Sequence, residues 1–339
     1  MVARYTRERE RRKGYQREGK ERERERDRET EKEKERRANN PRPHSWDDLY
    51  NTEIANHASN PADEGTVWFD DADAEMQMVD FLGSHAYGLG KGGYESEGDD
   101  DDDGLYRIDG STASIIDLGC GNGSLLFALR DAGWAGRLLG VDYSERSIAL
   151  ARQIQGARAA GLGDEDDDED DEYESREEGE KEEEEQEEDK DDGAGKIENT
   201  PVDFLAWDVL NGPLEKVSTC SSRDDGSAGW DIVLDKGTFD AISLSGERDG
   251  AGRRIAEGYR SRALQLLRPG GIFLITSCNW TEAELDEWFA PPARGDGAEA
   301  TEGRFYELGK VIYRTFSFGG AKGQAISTMC FRKYDLASS

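Results

Sequence analysis

The sequence is poor in the side chains that hold transition metals. It has three histidines, His44, His57 and His85, and four cysteines, Cys120, Cys220, Cys278 and Cys330. All three histidines precede the main strand–helix pattern, and no two cysteines form a C-x-x-C or other close pair. This spacing argues against a zinc site and against a disulfide framework, and the cysteines read as reduced thiols of an intracellular protein. Long apolar runs are also missing. Nothing approaches the roughly 20 residues needed to cross a bilayer. The first residues are charged throughout and rich in Glu, so neither a secretory signal nor a transit peptide is expected. Positive charge is in short supply: 44 Lys and Arg against 76 Asp and Glu leave a net charge of −32. Such a field repels a phosphate backbone, which argues against nucleic acid as the main partner and permits a basic protein surface.

Hydrophobic residues form 35% of the 339, the same share as charged ones, so much of the chain cannot be core. The polar excess is concentrated in blocks. Residues 1–43 alternate Arg and Glu, as in Glu21-Arg22-Glu23-Arg24, and have no apolar face; a disordered segment or a solvated helix is expected. Arg36-Arg37 is compatible with a nuclear signal. Residues 83–111 are rich in Gly and Asp, and 163–198 contain an acidic tract at 164–192; both read as insertions. Without these blocks roughly 200 residues remain, enough for one α/β domain within 44–335.

That domain opens with two short helices, one begun by the capping-box pattern Ser45-Trp46-Asp47-Asp48 and one over residues 73–82, around the aromatic turn 65–69. From Thr112 strand, glycine turn and helix repeat. Strands are expected at 114–117, 137–142, 202–208, 230–235 and 271–278. Helices are expected at 124–131, 145–160 (with Ser144 as N-cap), 253–267 and from Thr281-Glu282-Ala283-Glu284 onward. Apolar stretches near 311–313 and 326–331 suit a closing hairpin. The alternation predicts an α/β, Rossmann-like sheet, mostly parallel with an antiparallel C-terminal strand.

Ligands of such sheets bind beyond the carboxyl ends of the strands. The turn after strand one is Asp117-Leu118-Gly119-Cys120-Gly121-Asn122-Gly123. A dinucleotide loop needs G-x-G-x-x-G to seat a pyrophosphate, yet Ser124 stands where its third glycine belongs. Asp117 would repel phosphate and suits the ammonium and sulfonium charges of S-adenosylmethionine. Asp142 closes strand two, where a carboxylate can accept ribose hydroxyls, with Tyr143 beside it. Asp208 ends strand three, where an acid can accept the adenine amine and Val209 can offer its N–H; a plain turn role for Asp208 stays open. At the end of strand four, Asp235 is placed to orient the cofactor's amino group or an incoming amine. Lys236 also reads as an ordinary outward-facing lysine.

The blocks Asp235-Lys236-Gly237-Thr238-Phe239-Asp240-Ala241-Ile242-Ser243-Leu244 and Thr276-Ser277-Cys278-Asn279-Trp280-Thr281 are more selective than the glycine loop. With Ser45-Trp46, Val67-Trp68-Phe69 and Phe316-Ser317-Phe318-Gly319-Gly320, they resemble the seven-β-strand protein-lysine methyltransferases that modify translation elongation factor 1-alpha. The likeness spans about 45–333, apart from the insertions. It implies a class I fold, S-adenosyl-L-methionine as cofactor and a protein lysine as acceptor. It also implies a substrate channel near Trp68, Phe69, Phe239, Asn279 and Trp280, although core packing is an equal reading of Trp280. The same resemblance implies a monomeric, cytoplasmic protein, with a nuclear fraction compatible with the basic pair. Rival readings are a small-molecule methyltransferase, a non-catalytic scaffold and a nicotinamide oxidoreductase. They are disfavoured respectively by the absence of an evident lid domain, by the intact acid and glycine set, and by the glycine spacing.

Overall fold

The computed structural model describes residues 46–87, 108–162, 200–219, 228–292, 303–313, 316–318, 321–323 and 325–334. The expectations for 1–43, Ser45, the acidic tract and most of the 83–111 insertion lie outside the described residues. The chain divides into Met1–Leu49 and Tyr50–Ser339. The described part of the first unit is the opening turn of helix α1, Trp46–Ser59.

The second unit is built on a seven-stranded sheet. Its strands, labelled here in chain order, are β1 (Ile115–Leu118), β2 (Leu138–Asp142), β3 (Asp203–Ala206), β4 (Trp230–Lys236), β5 (Leu267–Ser277), β6 (Arg304–Val311) and β7 (Ser327–Tyr334). They lie in the order β3-β2-β1-β4-β5-β7-β6. β1 to β5 pair in parallel, and β7 runs antiparallel to both of its neighbours. Every residue of β1 and β2 is buried, as continuous apolar strands with both faces covered must be. The covering helices include α2 (Ala74–Ser84), α3 (Ser124–Asp131), α4 (Glu145–Ala159), α5 (Thr238–Leu244), α6 (Tyr259–Leu266) and α7 (Glu282–Phe289).

The expected caps are present. Ser144 accepts the N–H groups of Arg146 and Ser147 at the start of α4. Thr281 and Glu284 form the reciprocal pair that opens α7. Each such cap is worth about 1 kcal/mol.

Other boundaries differ for local reasons. β3 ends at Ala206 because Asp208 turns the chain, its Oδ1 accepting from the N–H groups of Leu210 and Asn211. β5 begins at Leu267, four residues earlier than the sequence suggests, and a bulge between Trp230 and Ile232 absorbs the Pro-Gly-Gly stretch. The helix expected at 253–267 is a 3-10 turn, Ile255–Gly258, followed by α6. Helix α5 was not anticipated.

One side of the sheet carries an aromatic cluster. The Phe239 ring lies 5.3 Å from Tyr259, 5.5 Å from Trp280 and 5.1 Å from Phe289. Phe289 in turn meets Phe273 and Phe331. Fully burying each such side chain contributes about 1.5–3 kcal/mol. This cluster fixes the β4–β5 half of the sheet, while strand order reverses between β1 and β4. A crevice for a ligand belongs at that reversal.

Candidate functional site

The turn after β1 can only be glycine at its key positions. Gly119, Gly121 and Gly123 have φ of 72°, 56° and 86°, in the left-handed region where side chains are strained. A Cβ on Gly119 would lie 2.0 Å from Thr238 Oγ1, and one on Gly123 would lie 2.8 Å from the Phe204 ring. Thr238 is held in place by donating to the Leu118 carbonyl at 2.6 Å. The amides of Gly119 and Cys120 donate to the Val141 carbonyl, and burial pushes the Cys120 thiol well up. Asn122 uses its side chain locally, accepting from Ser124 N–H at 3.2 Å and donating to the Glu64 carbonyl at 2.9 Å.

The acids at the strand ends differ in what they already bind. Asp117 is 3% exposed, and among the described residues no hydrogen bond reaches its carboxylate. Burial pushes it up to about 8, against the pull of Lys236. Asp142 is buried and accepts from Gly121 N–H at 3.2 Å and Ser144 N–H at 2.9 Å. Tyr143 beside it is exposed. The Asp208 carboxylate is engaged by Leu210, Asn211 N–H and Asn211 Nδ2, so its turn role is real whatever else it does. The adjoining Val209 is buried, and its carbonyl accepts from Arg262 Nε.

At the end of β4 the picture reverses. Asp235 is fully buried and receives Thr238 N–H at 2.8 Å, Phe239 N–H at 3.0 Å and the Tyr259 hydroxyl. Burial still lifts it to about 7, with these donors opposing. It thus starts α5 and anchors α6. Phe239 is also fully buried within the aromatic cluster, so it backs Trp280 from inside the core. Trp280 is half-buried and donates from Nε1 to Ser243 Oγ at 3.0 Å; Asn279 next to it is exposed. Asp240 ties α5 to the end of β5 by accepting from Ser277 Oγ and Cys278 N–H.

Lys236 does not point into solvent. Its side chain is 12% exposed and its Nζ meets Glu75 Oε1 at 3.2 Å and the Trp68 carbonyl at 3.1 Å. Glu75 also accepts from Ser124 Oγ at the start of α3. A Cβ on Gly237 (φ 86°) would approach the Phe69 ring at 3.1 Å. The segment 64–75 therefore lies across the loops after β1 and β4, with Trp68 partly exposed. Phe69 and Asp73 within it adopt left-handed φ of 64° and 51°, a conformation that costs non-glycine residues about 1–3 kcal/mol and is kept where surrounding contacts impose it. The aromatic pair was legible in the sequence. Glu53, Glu75 and Ser147, which together with Tyr50 hold the segment and the loop beneath it, were not singled out there. The readable signal was a polar Glu53 and His57 on the same helical face as Tyr50.

A 3-2-1-4-5-7-6 sheet with a glycine turn after β1 and acids closing β1 and β2 defines a class I methyltransferase, whose cofactor is S-adenosylmethionine. The residues fit that cofactor. Among the described residues Asp117 is a buried carboxylate with no hydrogen-bond donor, which suits a cation, and the glycines at 119, 121 and 123 let Thr238, Tyr50 and Phe204 pack close against the turn that would cradle the cofactor. Residues 109–163 match the family model described as "Methyltransferase domain". The chain is 33% identical over 289 residues to Protein-lysine N-methyltransferase EFM4 of Saccharomyces cerevisiae, covering 85% of this chain and 92% of the relative. It is 33% identical over 292 residues to Protein-lysine N-methyltransferase efm4 of Schizosaccharomyces pombe, covering 85% and 91%. The human EEF1A lysine methyltransferase 2 is 27% identical over 288 residues, covering 85% and 84%. The chain belongs to this protein-lysine N-methyltransferase family.

Proposed function

We propose that the chain methylates a lysine of translation elongation factor 1-alpha, with S-adenosylmethionine as methyl donor. The observation that carries the reading is the buried Asp117, without a donor among the described residues, beside a glycine turn, with Trp68 and Phe69 packed over Lys236 and Gly237 at the end of the neighbouring strand. The relatives' shared activity, and the elongation factor in the name of the human one, support the acceptor.

S-adenosylmethionine supplies an electrophilic methyl group on a sulfonium sulfur. Asp117 would hold its ammonium and Asp142 its ribose, with Tyr143, Asp208 and Val209 toward the adenine. The incoming lysine must be neutral to attack, and its unperturbed pKa is about 10.4. Walls of Trp68, Phe69, Asn279 and Trp280 would strip water from the ammonium, and desolvation favours the neutral amine. Alignment of the amine then supplies much of the rate, up to roughly 7–11 kcal/mol in favourable intramolecular models. Asp235 acts one step back. Its hydrogen bonds from the Thr238 and Phe239 N–H groups fix the backbone of 235–239, which positions the channel wall without contacting the amine.

Among the described residues no helix is long and apolar enough to cross a membrane, and the net charge of −32 suits a basic protein partner over nucleic acid. The reading includes a monomer working in the cytoplasm. Incubating the chain with radiolabelled S-adenosylmethionine and a cell extract tests the acceptor class. A labelled band at the mass of elongation factor 1-alpha is expected. Consumed cofactor with no labelled protein would favour a small-molecule acceptor instead.

A further inference from the structure

The polar face of α1 joins two parts of the site that sequence motifs treat separately. Tyr50, Glu53 and His57 are all buried, and their spacing of three and four residues puts them on one side of the helix. Each is directed at a different piece of backbone. Tyr50 Oη lies 3.2 Å from where a Gly121 Cβ would stand, so this glycine is what lets the phenol reach the cofactor turn. Burial, and after it the charge of Asp142, pushes the same hydroxyl well above its ordinary range, against the opposing effect of its hydrogen bond with Ser147. Ser147 in turn donates to the Gly121 carbonyl at 2.7 Å, and Gly121 N–H donates to Asp142. One turn further along, Glu53 accepts from Thr66 N–H at 2.9 Å, and Gly65 (φ 87°) packs against its carboxylate. His57 Nδ1 meets the Asp63 carbonyl at 3.0 Å.

A helix is a rigid rod with a rise of about 1.5 Å per residue. From Tyr50 to His57 it therefore sets the segment that leads to Trp68 and Phe69 at a fixed offset from the cofactor turn. We propose that Tyr50 and Glu53 are positioning residues that couple cofactor binding to placement of the channel wall. When Gly121 and Asp142 are fixed by ligand, Tyr50 holds α1, and Glu53 carries that constraint to Thr66 and onward to the aromatic pair. This rests on the methyltransferase reading above and names the part of the molecule that connects its two ligands.

The experiment uses the full chain and S-adenosylmethionine alone. Tyr50→Phe, Glu53→Gln and the double variant preserve shape, and melting temperature confirms that each is folded. Calorimetric titration is expected to show cofactor affinity lowered about three- to tenfold by each single change. The double variant is expected to be little worse than either, because residues acting through one connection are not additive. Amide exchange over residues 64–69 should slow on adding S-adenosylmethionine to the wild-type chain and lose that response in Tyr50→Phe. Wild-type affinity in either single variant, fully additive losses, or an unchanged exchange response in Tyr50→Phe would each overturn the proposal. Because no protein substrate enters the titration, a wrong acceptor would appear elsewhere, as a chain that binds cofactor and leaves elongation factor 1-alpha unlabelled.

Discussion

The carboxyl ends of β1 and β4 are neighbours in the sheet, with Leu118 opposite Asp235, and the last residue but one of each is a buried acid lifted by desolvation, Asp117 to about 8 and Asp235 to about 7. They differ in their partners. Asp235 has donors from Thr238, Phe239 and Tyr259, whereas no described group donates to Asp117. The difference separates an acid whose oxygens are taken up by the fold from one with no described donor, the one we propose for the ligand. Burial and shifted ionisation alone would have marked both as functional; hydrogen-bond partners tell them apart.

Breaking this contrast gives the largest expected effects. Asp142→Ala, which removes the carboxylate that also pins Gly121, should abolish measurable S-adenosylmethionine binding by calorimetry while the melting transition survives. Asp117→Asn and Asp235→Asn should then part ways. The first is expected to weaken cofactor binding about 10–100-fold with little change in melting temperature. The second is expected to cost about 2–4 kcal/mol of stability in denaturant titration, because it disrupts a buried charged hydrogen-bond network. Equal stability losses for the two would erase the distinction. Gly119→Ala places a Cβ 2.0 Å from Thr238 Oγ1 at φ 72°. A loss of about 1–3 kcal/mol with weakened binding is expected from the same titrations.

Ionisation sharpens the comparison with a smaller effect. An empty site near neutral pH holds Asp117 mostly protonated, and a cationic ligand favours the carboxylate, so binding releases a proton. Affinity should rise with pH and level near about 8, with proton release visible as a dependence of calorimetric heat on buffer. The sign for stability is opposite. Both acids have folded values above the unfolded value of about 3.9, so between roughly pH 4 and 8 these two sites bind more protons in the empty fold than in the unfolded chain, and their contribution to stability falls as pH rises. The melting temperature of the wild-type chain should therefore fall relative to that of Asp117→Asn as pH rises across that window, and a constant difference between the two would contradict the assignment of Asp117.

Much of this arrangement was legible beforehand because it depends on local chemistry. Hydrophobic alternation and caps at Ser144 and Thr281 placed the helices and strands, and the glycine spacing with Ser124 pointed to the cofactor class. What could not be read was which polar groups satisfy each other across the fold. Asp235 looked catalytic because its donors, α5 and Tyr259, are defined only by packing. Phe239 looked like a channel wall until the aromatic cluster enclosed it. Lys236 looked exposed because Glu75 lies 161 residues away in sequence. The contacts of segment 64–75 are long-range, and nothing in its own composition announces them.

The account stands on one transfer. Purified elongation factor 1-alpha should be incubated with S-adenosylmethionine and either the wild-type chain or Asp117→Asn, and its lysines read by peptide mass spectrometry. The account predicts methylation at a lysine with the wild-type chain, and far slower methylation at the same lysine with the variant. An elongation factor left unmodified by a wild-type chain that binds the cofactor would contradict the proposed acceptor. Equal rates from the two chains would contradict the role of Asp117.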